Sequence, residues 1–487
     1  MQLLTQLLVR LMSAAAVSVV VGLALGQEAP SPWTGLAGVV ETVEQIMARD
    51  GPAEPEGHGR REREAHTVER LHHRRQNEAA PVVAHWPPGP PPEPYGPRLP
   101  QAVGVAFLGA QFSESAYEPP DPMGGVSPTQ VLVCVNGRIR VLDKAGVMGA
   151  LNTTTNNFFV SVRAGGLTSD PQVRYDVLTS RWFILMITVS APNRFLLAVS
   201  NTSTITVQTG FTFYAVQQDL VGDRPNADTG MFADYPSLGV DASALYIGCN
   251  MFLTTFQGTS LWVVRKSSVL AAGPVVVTAL RRVGSATGGI FAPRGVNSDS
   301  PAPGMGLFIG TDAGTYSTLD VVRIADPGGS PSIAGIFSMT VPRTGDPAAV
   351  AALGSQHPLD ALDDRLFAAQ AHLDRLTGER SLWTAHHMVV DGQGNAGGAG
   401  AVNGSRWYQI GNLTGTPTLV QAGTVFDGAP FPSRSYWFPS VAMTGQGHAA
   451  IGSCVGGPAD FPGVAVCGRV DSDVLGFSGV PTLAAAG

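Results

Sequence analysis

The sequence predicts an all-β fold, a β-propeller of about six to seven antiparallel blades preceded by a signal peptide and a disordered, proline-rich leader. Three observations lead there. Composition is 44% apolar but only 14% charged, with 59 Gly and 37 Pro, which suits many short strands joined by turns and does not suit long solvated helices. From Val103 onward, runs of four to eight β-branched and aromatic residues alternate with Gly, Asn, Asp and Pro clusters, as at Val131 to Val135, Trp182 to Val189, Leu245 to Cys249 and Ser381 to Val390. A phrase also recurs: an Asp-Pro or Asp-Tyr-Pro start, a strand, a tight turn and a second strand.

In chain order, Gln2 to Arg10 with one positive charge, apolar Leu11 to Leu25, and small Ala24 and Gly26 before Gln27 read as an export signal over residues 1–26. The apolar run is shorter than the ~20 residues a membrane-spanning helix needs, and no later stretch is apolar enough, so no span is expected in the mature chain. The expected location is secreted, with the periplasm as the variant. Residues 27–102 form the leader. Gly51 to Asn77 is rich in Glu, Arg and His, Pro87 to Pro100 favours extended polyproline spacers, and Pro32 to Arg49 carries Leu36, Val39, Val40, Val43, Ile46 and Met47 at helical spacing.

Residues 103–487 form the propeller domain. The recurrent phrase is clearest at Asp121-Pro122, Asp170-Pro171 and Asp234-Tyr235-Pro236; it drifts at Asp363-Asp364-Arg365 and Phe438-Pro439, with a degenerate unit near Met305, giving six countable copies. Their spacing exceeds the ~40 to 50 residues of compact propeller repeats, so long loops are expected. Four-stranded sheets set around an axis cover one another's faces and leave few open edges. A two-sheet sandwich array is the rival.

The phrase Pro120-Asp121-Pro122-Met123-Gly124-Gly125-Val126-Ser127-Pro128, followed by Val133-Cys134-Val135-Asn136, by Asp170-Pro171 with Arg181-Trp182, by Asp234-Tyr235-Pro236, by Asp364-Arg365-Leu366 and by Arg406-Trp407-Tyr408, resembles a family of secreted, mostly bacterial β-propeller proteins, uncharacterised and sometimes attached to peptidase or other modules. The resemblance implies fold and export and supplies no reaction. The chain departs from the family in stopping at Gly487, short of a final Trp/Tyr-rich strand, so the last blade is expected either to borrow a segment such as Gly104 to Phe112 or to remain incomplete.

No catalytic motif emerges. Gly392-Gln393-Gly394-Asn395-Ala396-Gly397 fits a dinucleotide loop by letter, yet no helix follows to receive a pyrophosphate. Gly310 to Tyr316 reads as a structural turn, and His387 reads as a buried, hydrogen-bonded histidine. Asp170, Asp176, Asp234 and Asp364 are weak candidates for a Ca²⁺ site, because hard cations prefer several oxygens, and turn capping is the simpler role. Cys454 and Cys467 flank a hairpin and are candidates for a disulfide, the equal alternative being that Cys134, Cys249, Cys454 and Cys467 are all small buried hydrophobes. Basic residues thin out after Arg75 and net charge is −7, which excludes a nucleic-acid footprint. The reading expects no cofactor beyond Ca²⁺ and a non-catalytic binding or scaffolding propeller whose partner is a glycan, protein or surface polymer. The alternative is an extracellular glycoside hydrolase or lyase, which would need two or more carboxylates converging in one place.

Overall fold

The computed structural model describes residues 30–49, 60–61, 74–86, 102–302, 304–398, 402–429 and 433–487. The proposed export signal and the proline run at 87–92 lie outside the described residues.

Six antiparallel sheets follow one another along the chain as blades. Blade 1 contains Met123–Val126, Gln130–Val135, Arg138–Asp143 and Met148–Thr153, and blade 2 contains Thr168–Asp176, Arg181–Thr188, Arg194–Ser200 and Gly210–Gln217. Blade 3 starts with Phe232–Asp234 and Gly239–Val240, both paired to Ala244–Phe252, and continues through Phe256–Arg265 and Pro274–Ser285. Blade 4 is Ile290–Gly295, Met305–Asp312, Thr318–Ala325 and Ser332–Thr340. Blade 5 is Ala368–Leu373, Arg380–Val390, Val402–Gly411 and Thr418–Val425, and blade 6 is Ser435–Met443, Ala449–Gly457, Asp460–Arg469 and Thr482–Ala485. The first strands of neighbouring blades touch one another, which makes them the innermost strands around the axis. The expectation of a propeller therefore holds at six blades. The last blade is built wholly from the C-terminal segment; residues 104–112 run beside blade 1 instead, where Arg140 donates to the Gly109 carbonyl at 3.3 Å.

Alternation along each strand creates the cores. Trp182, Ile184 and Met186 pack with Leu132, Ile139 and Val141 between blades 1 and 2, while Phe183, Leu185 and Ile187 turn to Trp262 and Val264 between blades 2 and 3. Strands buried on both faces read as continuous apolar runs for this reason. Further clusters join blades 3 and 4, 4 and 5, and 5 and 6.

The leader departs from expectation. Its described parts form no disordered tether, and Pro32 to Arg49 is mostly not a helix. Trp33–Ala37 pairs with the outer strand of blade 3 and Val39–Thr42 with the outer strand of blade 2, in register Glu41 to Phe211. Only Val43–Met47 is helical, started by Thr42, whose hydroxyl accepts from the Gln45 amide while the Gln45 side chain accepts from the Thr42 amide. The physical reason is that each outer strand presents unpaired amides and carbonyls, and an adjacent β-branched segment satisfies them better than a solvated helix would. Val43 and Ile46 are buried against blades 1 and 2, whereas Leu36 is 82% exposed. Ile46→Ala is expected to cost about 2–4 kcal/mol, measured by chemical denaturation; an unchanged midpoint would mean that the helix does not hold to the propeller in solution.

Candidate functional site

The recurrent phrase is a device for aiming side chains at the axis. Asp121, Asp170, Tyr235, Ala292 and Phe438 each precede a proline, and each has positive φ, between +40° and +55°. The residue before proline is sterically restricted, and a non-glycine residue in the left-handed region costs about 1–3 kcal/mol. In blades 2, 4 and 6 the distortion is a register shift in the innermost strand, at Ser169/Gln172, Phe291/Arg294 and Trp437/Ser440. Blade 5 has Leu362 at φ +55° before Asp363-Asp364-Arg365, without a proline. A buried asparagine of the preceding blade bonds the amide of the distorted residue in blades 2 and 4, and an amide two residues before it in blade 3. Asn136 accepts from the Asp170 amide at 3.0 Å, Asn193 from the Ala233 amide at 2.9 Å, and Asn250 from the Ala292 amide at 3.0 Å.

The side chains so aimed form one charged cluster from five blades. Asp170 lies beside Tyr235, whose amide donates to Asp170 Oδ2 at 3.2 Å; the Ser169 hydroxyl donates to Asp170 Oδ1 at 2.7 Å. The Tyr235 ring has the Arg365 guanidinium over it at 4.3 Å and that of Arg294 at 4.6 Å. Arg294 Nη2 also donates to the Tyr235 hydroxyl at 2.6 Å, and Arg365 is held by two bonds to Asp363 at 2.6 and 2.7 Å. Asp121, Asp170, Asp234 and Tyr235 keep part of their surface open to solvent, while Arg294 and Arg365 are buried.

Burial followed by the charge of Asp170 pushes the Asp234 carboxyl well above the ordinary range, against the pull of Arg365; Asp121 adds to the upward push. Burial also raises Asp170, opposed by the Ser169 and Tyr235 bonds. Burial works against the charge on Arg365 too, yet Asp363 outweighs it and the group is raised. Burial, then repulsion from Arg294, brings Arg174 down to about 10. A carboxyl that keeps its proton beside one that ionises more readily is the arrangement from which general acid and base roles arise.

The four aspartates singled out as Ca²⁺ candidates are not brought together. Asp170 and Asp234 meet at the axis. Asp176 pairs with Lys266 at 2.6 Å and caps its own turn by accepting from the Thr179 amide at 3.0 Å. Asp364 pairs with Arg74 of the leader, and burial raises its carboxyl to about 6 even so. Among the described residues no group of three or more His, Cys, Asp or Glu is placed to hold a metal ion. Asp176 thus has the turn-capping role read as the simpler one, and a guanidinium, not a cation site, faces Asp364.

The disulfide expectation is also corrected, since all four cysteines are free. Cys467 stands opposite Ile451, three positions from Cys454, and Cys454 stands opposite Val464. An odd offset puts the two thiols on opposite faces, ~10 Å apart along the strand, beyond the reach of a bridge. His387 is buried as read: Nε2 donates to the Ala361 carbonyl at 2.7 Å and Nδ1 accepts from the Phe438 amide at 3.3 Å. Burial depresses its pKa to about 4. The glycine-rich run at 392–397 is a turn in which Asp391 Oδ1 accepts from the Gln393 and Asn395 amides, both at 2.9 Å.

Sequence reasoning found Asp170 and Asp234 but missed Asp121, Arg174, Tyr235, Arg294 and Arg365 as site residues. The signal that was available is the residue-before-proline repeat, which includes Ala292-Pro293 once Asp is not demanded at its first place. Two small clefts lie away from the axis, of about 20 Å³ beside Ser298 and Ala302 and about 30 Å³ beside Asp374 and Arg469; each has room for little more than water.

No family model matches the chain, and no curated protein matches it in sequence. Solved structures similar to it include the GH43 endo-arabinanase from Bacillus licheniformis, at 8% identity over 64% of this chain and 96% of that one, with a TM-score of 0.30. The α-L-arabinanase of Cellvibrio cellulosa is 8% identical over 75% and 94%, with a TM-score of 0.31. The endo-1,5-α-L-arabinanase of Thermotoga petrophila is 14% identical over 74% and 91%, also with a TM-score of 0.31. These similarities transfer no substrate and no residue role to this chain. The expectation of a non-catalytic binding propeller is corrected to this extent: the solved structures similar to the chain are titled arabinanases, not binding modules, and the likeness shows the fold alone. Independently, the axis holds the converging carboxylates that the alternative demanded.

Two predictions follow from this geometry. Because the folded chain holds the Asp234 proton at pH values where an unfolded chain has released it, stability from this group is lost as pH rises from the ordinary carboxylate range through the raised value. Asp234→Asn is therefore expected to raise the thermal midpoint relative to the parent at pH 7 to 8, the gain shrinking towards zero below pH ~4; a constant difference across that range would contradict the raised carboxyl. For the cysteines, a thiol reagent added to unreduced, unfolded chain should titrate four groups, and two missing thiols would show a bridge.

Proposed function

We propose that this chain is an exported glycoside hydrolase acting on extracellular polysaccharide, with Asp234 as proton donor and Asp170 as its ionised partner. The observation that carries the reading is the pair itself: two aspartates from neighbouring blades, Asp170 at positive φ and Asp234 next to Tyr235 at positive φ, with Asp234 pushed well above the ordinary carboxylate range by burial and by Asp170. Structural aspartates gain nothing from such placement, whereas acid–base catalysis needs it. Asp234 would give its proton to the glycosidic oxygen as the bond from the anomeric carbon breaks. Asp170 would activate water or attack that carbon itself. The Tyr235 hydroxyl, fixed by Arg294, would orient a sugar hydroxyl, and Arg365 would keep Asp170 ionised.

The guanidiniums of Arg294 and Arg365 around Tyr235 favour a second reading, a lyase on uronate polymers, in which arginine neutralises the sugar carboxylate. Export rests on residues 1–26 and on the resemblance to secreted propellers.

A panel of neutral and uronic polysaccharides tests both. Hydrolysis creates reducing ends without a new double bond, and elimination creates an unsaturated sugar. Asp234→Asn and Asp170→Asn should each lower kcat by ~10²-fold or more. In the parent, rate should rise as Asp170 ionises and fall at higher pH as Asp234 loses its proton. No turnover on any polymer, or full activity in both variants, would remove the proposal.

A further inference from the structure

The strongest feature that the axial chemistry does not use is the place where the leader meets the propeller. Arg74 is buried there with Asp364, their side chains 2% and 1% exposed. Its Nη2 donates to Thr311 Oγ1 at 3.3 Å and its Nε to the Ala313 carbonyl at 3.4 Å. The guanidinium lies over the rings of Phe291, at 5.1 Å, and Tyr316, at 5.2 Å. A carboxylate, a carbonyl, a hydroxyl and two aromatic faces around one planar cation match arginine, whose fork bonds and stacks at once; the compact ammonium of lysine meets fewer of these contacts.

The chain on either side of the pocket is fitted to the leader as well. The Arg75 amide donates to the Gly314 carbonyl at 2.9 Å, within a parallel pairing of Arg75–Gln76 with Thr315–Tyr316. Gln76 Oε1 accepts from the Ser317 hydroxyl at 2.6 Å, and Asn77 Nδ2 donates to the Thr318 and Thr340 hydroxyls at 3.2 and 3.1 Å. Further along, the Ala84 amide donates to Asn395 Oδ1 at 2.8 Å, and the Ala422 amide donates to the Trp86 carbonyl at 3.2 Å. Residues 74–86 thus cross from blade 4 to blade 5 along one continuous track.

From this geometry we infer that Asp364, Phe291, Tyr316, Thr311 and the Ala313 carbonyl form a binding site for an arginine side chain, and that the leader is its ligand in cis. The site borders the axial cluster. Arg365, next in chain to Asp364, also lies over the Phe291 ring, at 5.7 Å, and on its other side stacks on Tyr235. Filling the pocket therefore fixes the bend that presents Arg365 to Asp234. The inference does not depend on the proposed hydrolysis, and its test reads no turnover.

The experiment uses the full chain. In the parent, trypsin should leave the bond after Arg75 uncut under native conditions. In Arg74→Ala, cleavage at that bond should rise by ~10-fold or more, since removing one member of a buried ion pair strands the other. Millimolar methylguanidinium should restore protection and raise the thermal midpoint of the variant, while methylammonium at the same ionic strength should not. Rapid cleavage after Arg75 in the native parent would overturn the inference, whether or not the variant folds. So would a folded variant that stays protected, or one that both cations affect equally.

Discussion

A residue held at positive φ in front of a proline, clamped in two blades by an asparagine from the blade before, sets where the axial side chains point. The strain is affordable only because the sheets around it are over-determined. Trp182, Ile184 and Met186 fill one interblade core while Phe183, Leu185 and Ile187 fill the next, so a strand cannot slip by one residue without exposing both sets. The proline suits the same place. It donates no amide, so the distorted strand has one donor fewer to satisfy. What the rigid sheets stabilise, the axis uses to hold charges that would otherwise avoid one another.

Those charges are balanced by reach along the chain as much as across it. Asp363 binds Arg365 through two bonds, and Asp364 binds Arg74, so two neighbouring carboxylates hold two guanidiniums against the same ring, Phe291. Among the described residues Asp170 and Asp234 have no such bidentate partner. Asp170 accepts a hydroxyl and an amide, and Asp234 feels Arg365 only at a distance. The difference explains why Asp363 falls below the ordinary carboxylate range despite its burial, through Arg365, while Asp234 rises. Burial is common to both, and the partner decides the sign.

Much of the architecture was legible in the residues. Apolar runs bounded by turn residues located the strands, and the Asp-Pro phrases located the innermost strands of blades 1 and 2, with Asp-Tyr-Pro marking blade 3. The phrase misled where it was read as a matter of acid: in blade 4 the same backbone is built on Ala292-Pro293, so the unit looked degenerate and Arg294 went unnoticed. The axial arginines carry no local signal, because Arg174, Arg294 and Arg365 are scattered along the chain and only ring geometry gathers them. The cysteine pair failed for a simpler reason. Nearness along a hairpin says nothing about parity, and an odd offset sends two side chains to opposite faces.

The leader was the least legible part, since what orders it lies hundreds of residues away. Its composition is that of a solvated tether, and by composition alone it has too little apolar surface to fold. It need not form a core of its own. Trp33–Ala37 and Val39–Thr42 satisfy the outer edges of blades 3 and 2, Val43 and Ile46 drop into an existing core, and Arg74 answers a buried carboxylate between blades 4 and 5. Hydrophobic clusters join each blade to the next from 1 through 6, and among the described residues none joins blade 6 back to blade 1. A segment that meets blade 3, then blades 2 and 1, then blades 4 and 5 therefore ties together neighbours that already share cores, and adds hydrogen bonds and an ion pair where the sheets themselves leave edges and a charge. The described parts of the leader are thus built into the propeller and are not a spacer in front of it.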